Sequence, residues 1–156
     1  MKLNSFITKR AGFTLIEVLI AIGLVAILAG IVIIAVNPAR QFALGRDTQR
    51  RSDVNAILNA IYQYATDNNG TLPASITALA VDTPTEICKS PVATCTGLVD
   101  LHPTLVGAGQ TYLISMPVDP SSTDANSTEY TVSRNTNNRI TVAAPMDETS
   151  TISITR

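Results

Sequence analysis

Few residues in this 156-residue chain could do chemistry, and one carboxylate stands apart. Glu17 lies within Phe13 to Val36, FTLIEVLIAIGLVAILAGIVIIAV, where only Thr14 and Glu17 interrupt 24 residues of apolar character. A carboxylate inside an apolar span is costly and calls for a partner. Immediately upstream runs Lys9-Arg10-Ala11-Gly12, a basic stretch that ends in a glycine at the border of the apolar run. Cys88 and Cys95 form the second candidate. They are read as a disulfide suited to an oxidising compartment, the alternative being two unpaired buried thiols. Zinc would need two more ligands, and the one histidine, His102, has no companion motif.

A third group is an oxygen-rich loop. Pro117-Val118-Asp119-Pro120 leads to Asp124, Asn126 and Glu129, and hard oxygen donors of this kind suit calcium. The spacing is not that of an EF-hand, and an ordinary turn accounts for the same residues. No other cofactor is expected. Nucleophilic catalysis would have one histidine to draw on, His102, and no nucleophile elbow. Gly107-Ala108-Gly109 lacks the lysine of a phosphate loop. Residues 69–156 hold four cations, Lys89, Arg134, Arg139 and Arg156, against eight acids, which argues against a nucleic-acid surface. An enzyme is therefore not expected.

The elements that must position these groups can be read from periodicity. At ~1.5 Å per residue, the apolar run reaches roughly 36 Å as a helix, enough to cross a ~30 Å hydrocarbon core. A removed secretory signal fits poorly, because its apolar region is shorter and a small-residue cleavage site follows it. Asn37-Pro38 marks a soft point where the run ends. Beyond it Val54, Ile57, Leu58, Ile61 and Ala65 recur on one helical face. Asp47, Arg50, Arg51 and Asp53 fall mostly off that face, with Asp47 and Arg51 spaced to pair at i, i+4. Asn68-Asn69-Gly70 ends the helix and Pro73 follows the stop. These signals predict one long, bent helix from about Phe13 to Asn68.

Residues 70–110 read as loop, with a short helical turn near Ser75–Ala80. Strands are predicted at Tyr112-Leu113-Ile114, around Tyr130 and Val132, around Ile140 and Val142, and at Ile152 and Ile154. Asn135 to Asn138 makes the hairpin turn of the middle pair. An antiparallel sheet with one apolar face would lie on the amphipathic helix. The fold class is α+β: a long N-terminal helix, membrane half plus amphipathic half, packed against a small antiparallel sheet.

Gly12-Phe13-Thr14-Leu15-Ile16-Glu17-Val18-Leu19-Ile20-Ala21 resembles the class III signal of type IV pilins and type II secretion pseudopilins. The resemblance implies a pilin-like layout: leader peptide 1–12, transmembrane or filament-core helix 13–36, amphipathic continuation 37–68 and globular head 69–156. It implies cleavage after Gly12 by a prepilin peptidase, methylation of the new N-terminus at Phe13, and an assembly role for Glu17. Pro38 resembles the positions at which pilin helices bend, and the Asp119 loop resembles the calcium-holding loop of major pseudopilins. The implied partners are further copies in a helical filament, the peptidase, an inner-membrane assembly platform and the membrane itself, with no nucleic acid. The implied location is the cytoplasmic membrane as a single-pass prepilin, then an extracellular or periplasmic filament. Leader-in, head-out orientation rests on this resemblance, since Arg40, Arg46, Arg50 and Arg51 balance the leader's cations. Losing Lys2, Lys9 and Arg10 with the leader would take the net charge from −1 to −4. Within the family, a pilus subunit, a secretion pseudopilin and a low-copy minor pilin with a ligand-binding head are the readings to separate.

Overall fold

A computed structural model of the protein describes residues 12–89, 94–107 and 112–156. Residues 1–11 of the leader, 90–93 and 108–111 lie outside that description, and with them part of the Gly107-Ala108-Gly109 stretch. The chain divides into two compact units, residues 1–41 and 42–156.

In the first unit, helix α1 covers Leu15–Val36. Thr14 caps it: the side-chain hydroxyl accepts the backbone N–H of Glu17 at 3.3 Å, satisfying one of the open donors of the first turn. Every residue of α1 is exposed. An apolar helix with no buried face finds its burial outside its own chain.

The helix does not run unbroken to Asn68. Asn37 takes a left-handed conformation, φ 46°, and helix α2 begins afresh at Pro38 and runs to Asp67. Proline disfavours helix at the residue before it, and asparagine is among the few residues that tolerate positive φ. Pro38 then serves as an opening residue of the next helix, where its missing N–H costs nothing. Asn37 also accepts the Arg40 N–H through Oδ1 at 3.4 Å, in the manner of a cap.

The second unit is built on the rest of α2. Val54, Ile57, Leu58, Ile61 and Ala65 are buried, as their spacing predicts. The helix stops where expected, with Asn69 and Gly70 at positive φ and the Gly70 N–H donating to the Ala65 carbonyl at 2.7 Å. The sheet is antiparallel in the order β1-β2-β3-β4, with β1 Thr85–Cys88, β2 Ser127–Arg134, β3 Ile140–Ala143 and β4 Ser153–Thr155. Tyr130, Val132, Ile140 and Val142 alternate inward and join the α2 stripe in one core. Two short helices, α3 (Ala74–Thr77) and α4 (His102–Leu105), add Ile76 and Leu105 to it.

Two expectations change. Tyr112-Leu113-Ile114 is not a strand but an irregular segment, so its three apolar residues carried the pattern without finding a pairing edge. Its place in the sheet is taken by β1, four residues in a region read as loop, too short for alternation to show. The β1–β2 pairing is itself irregular: Glu86 faces Thr131, Cys88 faces Ser127, and the extra residues of β2 bulge between them. Glu129, at φ 65°, sits in that bulge.

Candidate functional site

The N-terminal segment is presented openly. Gly12, Phe13 and Glu17 are exposed, and Glu17 occupies the first turn of α1. Glu17 is the third residue of that helix, three positions on from the Thr14 cap. A carboxylate there also favours its own helix N-terminus by ~0.3–1 kcal/mol.

Cys88 and Cys95 are joined as a disulfide with Cα atoms 5.4 Å apart. The sequence reading placed this bridge in a sheet-free region. Instead Cys88 is the last residue of β1, so the bridge ties the loop after β1 back onto the sheet. Val99, beyond the bridge, forms a parallel contact with Ile87 and exchanges backbone hydrogen bonds with Glu86 and Cys88 at 2.8 Å.

The four calcium candidates are directed to separate tasks. Asp119 gives both oxygens to Arg50. Asp124 accepts the N–H groups of Asn126 at 2.6 Å and Ser127 at 2.8 Å, which lowers its pKa. Asn126 accepts the Thr94 N–H at 3.1 Å. Glu129 is pushed up by burial and by the nearby Glu86, Asp124 and Asp119 charges. Among the described residues no group of three or more His, Cys, Asp or Glu is placed to hold a metal ion.

A buried polar cluster in the head escaped the sequence reading. Arg50, 1% exposed, uses all five of its N–H donors. Nε and Nη2 donate to Asp119 at 2.7 and 3.1 Å, and Nη2 also donates to Ser121 at 2.9 Å. Nη1 donates to Asp47 and to Glu148, each at 2.9 Å. Asp47 does not pair with Arg51 as its i, i+4 spacing suggested. It takes Arg50 at i+3 and accepts the N–H groups of Glu148 at 3.0 Å and Thr149 at 2.7 Å, along with the Thr149 hydroxyl. Burial pushes the Asp47 carboxyl up, but these hydrogen bonds outweigh it and hold the group well below the usual carboxylate range. Glu148 also takes a two-pronged contact from Arg46 at 2.6 Å, and hydrogen bonds from Arg46 and Arg50 lower it to about 2.

These contacts continue along α2. Arg51 donates to Ser150, Arg156 donates to Asn59 at 2.6 Å, and the Tyr62 hydroxyl donates to the Arg156 carbonyl. The last ten residues are thereby laced onto the helix from Asp47 to Tyr62. Deeper in, the Tyr130 hydroxyl donates to Asp53 at 2.8 Å, and burial together with that bond raises its pKa. The only hint in the sequence was the run of charges in 46–53, which also suits a solvated face.

The profile of the prokaryotic N-terminal methylation motif matches residues 7–33. Neither the curated proteins nor the solved structures contain a match to the chain. The matched segment contains Gly12, Phe13 and Glu17 and continues into α1, a helix long and apolar enough to cross a membrane. This is consistent with membrane anchoring followed by export, and in general terms with processing by a prepilin peptidase and assembly into filaments. The pilin family is a structural one. Through residues 7–33 the chain carries the prokaryotic N-terminal methylation motif, and its likeness to the pilin and pseudopilin family rests there.

Proposed function

We propose that this chain is the structural subunit of a type IV pilus or pilus-like filament, cut after Gly12 and methylated at Phe13. One observation carries the reading. A 22-residue apolar helix without a buried residue begins inside a methylation motif, and its only carboxylate is in the first turn. In the membrane, Glu17 stays close to the polar interface, where its cost is well below that at mid-span. In a filament the same carboxylate enters a bundle of apolar helices away from water. Unpaired, it would cost several kcal/mol there. Cleavage creates its partner, the Phe13 amine, whose charge survives methylation. Supplied by a neighbouring copy, that amine neutralises Glu17 and sets the axial register of one subunit on the next. The peptidase and an inner-membrane assembly platform act on the prepilin, and the heads face solvent. The same signal serves secretion pseudopilins. Imaging of surface filaments, with their main subunit identified by mass spectrometry, separates the two.

The test is Glu17→Gln, which keeps size and helix propensity and removes the charge. The variant is expected to be cleaved and membrane-inserted yet to make few or no filaments. Abundant normal filaments built only from it would reject the assembly role and leave Glu17 as a residue that merely favours its own helix.

A further inference from the structure

A groove and a projecting side chain stand on opposite flanks of the C-terminal part of α2. The groove holds about 560 Å³. Tyr62, Ala65 and Leu72 supply its apolar lining, and Thr66, Arg134 and Asn138 its polar one. The projecting side chain is Ile114, which is fully exposed. A lone exposed isoleucine is ordinary and assigns nothing by itself. Ile114 differs in how firmly its segment is held. The Tyr112 ring meets Tyr64 edge-on with centroids 5.8 Å apart, and its hydroxyl donates to Asp67 at 2.9 Å. The Leu113 N–H donates to the Leu105 carbonyl at 3.0 Å, and the Leu113 side chain packs on the core. A side chain held out by anchored neighbours loses little freedom on docking.

The two features cannot meet within one molecule. Residues two apart on a helix point ~200° apart, so Tyr62 and Tyr64 face opposite ways. Tyr62 turns to the C-terminal strand, where its hydroxyl donates to Arg156, and Tyr64 turns to the Tyr112 segment. A two-fold dimer would need one patch that matches itself, whereas a knob that fits a groove elsewhere on the surface makes a head-to-tail contact that repeats. Charge agrees with that pairing, since Asp67 stands beside the knob and Arg134 beside the groove.

We infer that Ile114 of one copy seats in the Tyr62–Ala65–Leu72 groove of the next, forming a lateral contact between heads. The inference rests on the filament reading and adds to it a second contact, independent of Glu17. Because Ile114 touches solvent alone, Ile114→Asp leaves the head folded with its thermal midpoint unchanged. Loss of one buried isoleucine lowers filament yield about tenfold.

Cross-linking of the full-length chain in the cell envelope tests the geometry. Thr66→Cys and Ile114→Cys are introduced singly and together, and the cells are mildly oxidised. Single variants are expected to stay monomeric, and the double variant to give a ladder that extends past the dimer. Dimers of equal strength from either single variant would mean a self-matching patch and overturn the contact, as would the absence of a ladder or an undiminished filament yield in Ile114→Asp. Imaging of the unsubstituted chain scores the filament reading separately. If no filaments form there, that reading fails, and the cross-link pattern between membrane-borne copies still decides the contact.

Discussion

The guanidinium of Arg50 grips the carboxylate of Asp119 through two hydrogen bonds, of 2.7 and 3.1 Å, across 69 residues of sequence and out of contact with solvent. Two-pronged arginine–carboxylate pairs are directional as well as strong. This one sets the 117–121 loop against α2, while Asp47 and Glu148 set the C-terminal segment against the same helix. One arginine therefore joins three parts of the head.

Removing that arginine leaves two buried acids, Asp47 and Asp119, without their cationic partner, while Glu148 keeps Arg46. Arg50→Met is expected to lower the stability of the head by about 3–5 kcal/mol, because breaking a buried pair from one side leaves uncompensated charge. Arg50→Lys should also destabilise, since an ammonium cannot reproduce the planar fork. Replacing Arg50 and Asp119 together by apolar residues should recover part of the loss. Denaturant unfolding of the full chain in detergent measures all three, and an Arg50→Met midpoint equal to that of the unsubstituted chain would show the cluster to be dispensable.

Acid should undo the C-terminal clasp. Folding lowers the pKa values of Asp47 and Glu148, and a lowered carboxylate contributes stability that is present above its unfolded value and lost as pH falls through the folded one. The unfolded values are about 4. Stability should hold from neutral pH to about 4 and fall from there to about pH 2, the folded value of Glu148, with the Asp47 part continuing lower. A Glu148→Gln variant should start lower at neutral pH and show a shallower decline. Thermal midpoints recorded against pH check both, and parallel curves for the two proteins would remove Glu148 from the account.

The Cys88–Cys95 bridge closes a short loop beside the sheet edge. Substituting both cysteines by serine should cost about 2–3 kcal/mol in the chain-entropy model. Alkylation of the native exported protein should label neither thiol, and a non-reducing digest should yield the linked peptide. Free labelling of both cysteines would contradict the bridge.

Processing should follow the border between glycine and the apolar run. The mature chain is expected to begin at Phe13 with a methylated amine, seen by mass spectrometry of its N-terminal peptide. Gly12→Val should leave the leader attached and raise the mass accordingly. A mature protein that begins after Val36, or that keeps residues 1–12, would reject this site.

The N-terminal signal, the α1 span, the stripe of α2 and the inward residues of β2 and β3 were all legible in the sequence, because each depends on neighbours a few residues away. A period of 3.6 or 2 survives without knowledge of what lies opposite. The break at Asn37 was half legible, since Pro38 announces a weak point but not whether the chain bends or restarts.

Tertiary structure decided the rest. The residues of 46–53 look like a solvated face in sequence, yet Asp47, Arg50 and Asp53 are buried. Their partners Asp119, Tyr130, Glu148 and Thr149 arrive from distant segments whose register no local pattern records. Asp119 was legible as a ligand-type carboxylate but not as the mate of an arginine 69 residues away. Helix periodicity says which residues share a face, and only the packed chain says whether that face meets water or a carboxylate.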